Sequence, residues 1–113
     1  MTFAEACDRV LRFCRVMNRR DVLIHSSKEF DTHWFITYGV PSLEYRARIF
    51  QYVTIIVEKQ TGDVYYAPSR SRHPIDFADF PANRQQFTRV TIQDMDDLEK
   101  EASDRLDSTD DST

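Results

Sequence analysis

The chain has 113 residues and a mass of 13.4 kDa, enough for one domain of ordinary size and too little for two independent cores. Its 41% hydrophobic residues can form a core without metal or disulfide staples, and its longest apolar run is too short to cross a bilayer. The net charge is −4, but residues 94–113 hold nine acids against Lys100 and Arg105, so residues 1–93 carry +3. This nearly neutral body argues against nucleic acid as a partner and favours a small partner or a protein.

A first helix is predicted close to the N terminus. Apolar residues recur there at alternating steps of four and three, and this spacing places on one helix face Phe3, Cys7, Val10, Cys14 and Met17. Thr2 followed by Glu5 is the pattern of a capping box, which marks the start of the helix. Cys7 and Cys14 are separated by about 10 Å along a helix, too far for a disulfide, so both are interpreted as small core residues.

Strands are predicted after this helix, because the apolar period changes to two. They cover residues 22–25, 32–38, 49–59 and 64–66. In the second strand, Trp34, Ile36 and Tyr38 share one face. Pro41 is expected to interrupt pairing because proline has no N–H. Gly62 lies in a short turn between the third and fourth strands, which are therefore expected to form an antiparallel hairpin.

The remainder of the chain is predicted to contain short elements and one longer helix. The short elements are a loop at 69–74, a helical turn within 75–80 and an edge strand at 89–93. Residues 94–106 have the spacing of an acidic amphipathic helix, with Asp94 as its N-cap. Residues 107–113 contain no apolar side chain, and we expect a disordered acidic tail there.

These patterns predict an α+β fold in which the N-terminal helix packs on a three- to five-stranded, mainly antiparallel sheet, with a C-terminal acidic helix. The predicted organisation is one domain over residues 1–93, the acidic helix over 94–106 and the tail over 107–113. The residues expected in the core are Phe3, Val10, Leu11, Cys14, Trp34, Ile36, Val53, Ile55 and Val57.

The sequence carries no catalytic or cofactor-binding signature. It contains neither a glycine-rich phosphate loop nor a nucleophile elbow. His25, His33 and His73 lie on different predicted elements without zinc-motif spacing, so no metal site is expected. Asp76 and Asp79 are a carboxylate pair on a short turn, where capping is the simpler interpretation. We therefore predict a protein that is not an enzyme and uses no cofactor.

Two stretches combine tyrosine and arginine, the residue types that dominate protein–protein hot spots. One precedes the long third strand, and the other leads from the hairpin into a basic loop. Together they predict a partner-binding surface made of Leu43, Tyr45, Arg46, Arg48, Tyr66, Arg70 and Arg72. The alternative interpretation, in which these are ordinary strand and surface residues, stays open.

The strand Trp34–Tyr38 is followed by a long strand that ends in valine, a charged pair, Thr-Gly and an acid at Asp63. This pattern resembles that of a known family. Over residues 3–80 the chain is similar to the YrhB-like immunity proteins, often called immunity protein 35, of bacterial polymorphic toxin systems. The acidic C-terminal extension falls outside that pattern. The resemblance implies a non-enzymatic protein that neutralises a cognate toxin by occlusion.

Two other classes of function remain open. A regulatory, adaptor or phage-encoded inhibitor module would use the acidic C-terminal segment to bind a basic partner surface. A small hydrolase or ligand-binding enzyme would use a pocket between helix and sheet. The first residues show no signal-peptide pattern, so a cytoplasmic location is expected, with neither membrane nor nucleic acid as a partner.

Overall fold

Helix α1 spans Phe3–Val16 in the computed structural model, which describes residues 1–17, 19, 21–41, 50–68 and 75–110. The predicted capping box is confirmed. The Thr2 hydroxyl accepts a hydrogen bond from the Glu5 N–H at 3.2 Å, and the Glu5 carboxylate accepts one from the Thr2 N–H at 3.3 Å. The helix buries a stripe with four-residue and three-residue spacing, made of Ala6, Val10, Phe13 and Cys14.

Two residues predicted to lie in the core are exposed instead. Leu11 is 38% exposed because one residue beyond the buried Val10 is a rotation of about 100°, onto the flank of the helix. Phe3 is 46% exposed because it lies in the first turn, where its ring packs beside Trp34 with the centroids 5.7 Å apart. Val53, also predicted in the core, is half-buried.

The sheet has five antiparallel strands in the order β1-β2-β3-β4-β5, so the predicted α+β architecture is confirmed. The strands are β1 (Leu23–Glu29), β2 (His33–Pro41), β3 (Phe50–Glu58), β4 (Val64–Tyr66) and β5 (Thr88–Val90). The predicted edge strand covers residues 89–93. β5 begins one residue earlier than this prediction and ends three residues earlier, at Val90. β1 is longer than predicted, and its pairing shifts register between Ile24 and Ser26.

The prediction that Pro41 interrupts the sheet is wrong. β2 pairs with β3 as far as the partners Pro41 and Phe50. Pro41 is the last residue of β2, so its missing N–H removes no bond from the interior of the ladder. The predicted turn at Gly62 is confirmed, since this glycine has a φ of +76°, which a residue with a side chain rarely adopts.

The two faces of the sheet pack against different parts of the chain. As predicted, Trp34, Ile36 and Tyr38 share the face that packs on α1. The other face is covered by the segment 75–87, which was not predicted. This second cluster contains Ile56, Tyr65, Phe80 and Phe87, flanked by Phe35, Ile75 and Phe77.

The segment 75–87 contains two 3₁₀ turns, Phe77–Asp79 and Arg84–Gln86. The first confirms the helical turn predicted within 75–80. The Asp76 carboxylate caps it by accepting from the Ala78 N–H at 2.9 Å. This carboxylate therefore has the capping role that the sequence favoured over a chemical one.

Helix α2 spans Ile92–Asp110, beginning earlier and ending later than the predicted 94–106. The assignment of Asp94 as N-cap is wrong, because the preceding Thr91 has that role: its hydroxyl accepts from the Asp94 N–H, and the Asp94 carboxylate accepts from the Thr91 N–H. The backbone of α2 continues into the range 107–113 for which disorder is predicted, while residues 111–113 lie outside the described part of the chain.

α2 is attached to the rest of the fold through its first turns. Met95 is fully buried in the cluster beneath α1. Arg12 of α1 forms ion pairs with Asp96 and with Glu99, the latter at 2.7 Å. No helix in the described part of the chain is long and apolar enough to span a membrane.

Candidate functional site

A groove of about 340 Å³ lies where β4 ends, beside β3 and the C-terminal turn of α1. We call it the tyrosine groove. Its lining includes the large side chains of Phe13, Met17, Tyr38, Tyr52, Tyr66 and Phe77. The residues of α1 approach from one face of the sheet, and Phe77 approaches from the other. The groove therefore lies at an edge of the sheet, with a wall on each side.

The groove exists because β4 leaves β3 early. β4 pairs with β3 through only two described residues, Ile56 and Val57 of β3, and then continues along β5. Pro68 follows two residues after the end of β4. It has no N–H to donate, and it also restricts the backbone of Ala67. β3 therefore extends beyond its neighbour at this point.

The backbone of β3 directs N–H and C=O groups toward the groove. At the other end of β3, the Glu58 N–H donates to the Asp63 carbonyl and the Glu58 carbonyl accepts from the Gly62 N–H, both at 2.9 Å and both on the β4 side. Alternate residues of a strand direct these groups to the same edge. The N–H and C=O groups of Thr54 and Tyr52 are thus directed to the edge beyond β4, where no described strand pairs with them.

Arg19 adds a positive charge to the groove. Its Nη1 donates to the Tyr38 hydroxyl at 2.6 Å. Burial raises the pKa of Tyr38 to about 12, so the phenol is neutral at physiological pH. A guanidinium group has five N–H donors in a planar fork that matches a carboxylate, and the bond to Tyr38 uses one of them.

Tyr52 is the most exposed aromatic side chain of the groove. It is 59% exposed, and its ring lies 4.6 Å from that of His25 on β1. Tyr66, which the sequence predicted as a contact residue, is half-buried, with its ring 5.5 Å from that of Phe13. An exposed tyrosine beside an apolar concavity is typical of protein-contact surfaces.

Of the seven predicted partner-binding residues, Tyr66 is the one whose position the structure describes. The other six, together with His73, lie outside the described residues. Those six are Leu43, Tyr45, Arg46, Arg48, Arg70 and Arg72. Their role in binding stays a prediction.

A second cavity, of about 350 Å³, lies at the opposite end of β3 beside Glu58 and Arg84. Both oxygens of the Glu58 carboxylate have partners: the Thr61 hydroxyl donates to one at 2.9 Å, and the Arg84 guanidinium approaches the other at 2.8 Å. A carboxylate held in this way stabilises the turn between β3 and β4. We assign this cavity no chemistry.

An ion pair beside this cavity has the same structural role, with a buried Asp63 carboxylate and an Arg89 side chain that is 49% exposed. The Asp63 carboxylate accepts hydrogen bonds from Arg89 of β5. Tyr65 lies near both cations, with its ring centroid 5.9 Å from the guanidinium carbons of Arg84 and Arg89. Burial raises the pKa of Tyr65. These contacts link β3, β4 and β5 across the hairpin.

His33 is buried at the start of β2 among aromatic rings. Its ring stacks on Phe30 at 4.8 Å and meets the edge of Phe80 at 4.8 Å. Its Nδ1 lies 2.8 Å from the Thr32 hydroxyl, and its Nε2 has no hydrogen-bond partner among the described residues. Burial lowers the pKa of His33, which favours the neutral ring.

The two cysteines and the acidic residues are the other candidates for chemistry. Cys7 and Cys14 are both free thiols, and burial raises the pKa of each. Within the described ranges, no group of three or more His, Cys, Asp or Glu side chains is placed to hold a metal ion. The tyrosine groove is thus the strongest candidate site in the part of the chain that the structure describes.

Comparison with known proteins adds no relative. No family model matches the chain, and no curated protein or solved structure matches it significantly. The resemblance to the YrhB-like immunity proteins therefore stays a prediction.

The sequence contained part of the signal for this groove. Tyr66 was predicted as a contact residue. Tyr52 and Phe77 were missed, because their convergence depends on where β4 leaves β3 and on how the segment 75–87 folds over the sheet. Neither feature follows from the spacing of residues in one element.

Proposed function

We propose that this protein is a non-enzymatic protein-binding protein that neutralises a toxin by occlusion, as immunity proteins do, and that the tyrosine groove belongs to its contact surface. The observation that carries this proposal is the concave aromatic surface beside the exposed Tyr52. Tyrosine provides large contact area together with a hydrogen-bonding hydroxyl, and such residues supply much of the binding energy at interfaces. The resemblance of residues 3–80 to immunity proteins supports the toxin as the class of partner.

The function is tested with the reading frames that lie next to the gene. Each neighbouring product is expressed alone and together with this protein, and growth is measured. The proposal expects one neighbouring product to arrest growth, and co-expression to restore it through a purified one-to-one or higher-order complex. If no neighbouring product is neutralised, the immunity function is wrong.

The contact surface is tested with two matched alanine variants. Tyr52→Ala should weaken the binding of the neutralised toxin by about 1–3 kcal/mol in calorimetry, the range for truncation of a contact residue. Leu11→Ala is the control, because Leu11 is 38% exposed on the flank of α1 and does not line the groove. Equal affinities of the two variants would move the interface away from the groove.

One observation favours the alternative function of a regulatory or adaptor protein. α2 directs acidic side chains outward, and Asp97 and Asp104 are exposed. Double replacement Asp97→Asn and Asp104→Asn leaves the Arg12 ion pairs in place. If this variant loses most of the salt dependence of partner binding while Tyr52→Ala binds normally, the acidic helix is the contact surface.

A further inference from the structure

We propose that the open edge of β3 binds an extended segment of the partner as an additional β-strand, and that this segment alternates apolar and acidic residues. This inference rests on the proposed function and specifies how the groove is used. Three features of the groove support it: backbone groups of β3 that no strand in the described part of the chain pairs with, the apolar surface of Phe77 on one face, and the charge of Arg19 on the other.

The backbone groups determine the conformation of the bound segment. Thr54 and Tyr52 direct their N–H and C=O groups to the edge beyond β4, and both residues line the groove. Such an edge is a template for a strand, because an extended chain satisfies donors and acceptors in the same alternating order. The stretch from Phe50 to Thr54 can pair with a segment of about five residues, roughly 17 Å long at 3.4 Å per residue.

The walls determine which side chains fit. An added strand directs alternate side chains to opposite faces of the sheet. On the face of the sheet that packs on α1 they meet Met17 and Arg19, whose guanidinium bonds Tyr38 of that face, and on the other face they meet Phe77. In a segment that alternates acidic and apolar residues, the acidic side chains would lie on the face of Arg19, and the apolar side chains would cover Phe77, which is half-buried without them. Binding of the segment therefore removes apolar area from water on the Phe77 face and places carboxylates beside Arg19 on the other.

The charge of the groove selects between acidic and basic segments. Arg19 is the charged residue among the described lining residues, and it is held in place by its bond to the Tyr38 hydroxyl at 2.6 Å. A carboxylate on the partner segment can accept the further guanidinium donors in a bidentate arrangement. A lysine at the same place would bring two positive charges together.

The proposal is tested first with synthetic peptides. Four blocked heptapeptides are compared by calorimetry. One alternates valine and glutamate, one alternates valine and lysine, and two are the glutamate peptide with N-methyl groups on alternate amides, one peptide for each of the two registers. The glutamate peptide should bind at least about tenfold more tightly than the lysine peptide, as expected for one charge-assisted contact. Methylation in one register should abolish binding, and methylation in the other should leave it unchanged.

Amide hydrogen exchange gives a readout that a general hydrophobic contact does not produce. On addition of the glutamate peptide, exchange at the Tyr52 and Thr54 amides should slow by about tenfold or more, because these N–H groups gain acceptors. The Glu58 amide, already bonded to the Asp63 carbonyl, is the internal control. Exchange is also measured without peptide at increasing protein concentration. If the Tyr52 and Thr54 amides then exchange more slowly, the edge binds a second copy of the chain, and the proposal is overturned.

The last test separates this inference from the proposed function. Thr54→Pro removes an N–H directed to the open edge and none directed to β2, so the sheet should be retained. With the neutralised toxin, the inference expects Thr54→Pro and Tyr52→Ala both to weaken binding at least about tenfold. If Tyr52→Ala weakens toxin binding while Thr54→Pro does not, and exchange at the Tyr52 and Thr54 amides is unchanged, the groove is a contact surface and strand addition is wrong. If Thr54→Pro does not fold, the N-methylated peptides and amide exchange decide the question.

Discussion

Replacement of Met95 by alanine tests whether α2 is an integral part of the fold. Met95 is 0% exposed and packs in the cluster that contains Val10 and Phe13 of α1. The change removes three heavy-atom groups beyond Cβ. At about 0.8 kcal/mol for each buried group, the transfer loss is about 2.4 kcal/mol, and the cavity left behind adds to it. We therefore expect unfolding to become easier by about 2–5 kcal/mol, the usual range for truncation of a buried methionine.

Urea unfolding followed by circular dichroism at neutral pH measures this loss, with the free energy extrapolated to water. The matched control is Leu98→Ala, one turn further along α2, where the side chain is 37% exposed. The control should change stability by less than about 1 kcal/mol. If Met95→Ala lost no more than Leu98→Ala, the helix would not be packed on the domain, and the attachment through its first turns would be refuted.

Two further predictions concern the core and its pH dependence. Val10→Asp should destabilise the fold by several kcal/mol because it places an unpaired charge beneath the sheet, and wild-type thermal stability in that variant would contradict the packing of α1. Burial lowers the pKa of His33 below the value of about 6.5 expected in the unfolded chain, so below that pH the unfolded state binds more protons and stability falls as pH decreases. His33→Phe removes this proton uptake. As the pH is lowered from about 7.5 to about 5.5, the free energy of unfolding of this variant in urea should therefore rise relative to that of the wild type. A constant difference between the two free energies would show that His33 is not buried in its neutral form.

The parts of the fold that depend on local patterns were predictable. The capping box of Thr2 and Glu5 and the buried stripe of α1 follow from spacing within one helix. Gly62 marks the hairpin turn because its positive φ excludes most other residues, and a Cβ there would lie 3.1 Å from the Cδ1 of Ile92. The alternation of Trp34, Ile36 and Tyr38 assigns one face of β2 to the core. Each of these signals is contained in a few neighbouring residues.

The parts that depend on packing between distant segments were not predictable. Phe80 and Phe87 belong to a segment of short 3₁₀ turns with no periodic pattern, yet they bury Tyr65 and the second face of the sheet. The candidate site has the same origin. Tyr66 was predicted as a contact residue, but the groove beside it depends on β3, where Tyr52 and Thr54 extend beyond the end of β4.

The position of the open edge also bears on which partner it selects. An exposed strand edge favours pairing with any other edge, including that of a second copy, and natural sheets usually protect such edges. Here the edge lies between Phe13 and Met17 on one face and Phe77 on the other. A single extended chain can enter between these side chains. A strand that is already part of a sheet carries packed layers above and below it, which would collide with the same side chains. The walls therefore restrict the edge to isolated extended segments, and this restriction favours a flexible loop or terminus of a partner over a second copy of the domain.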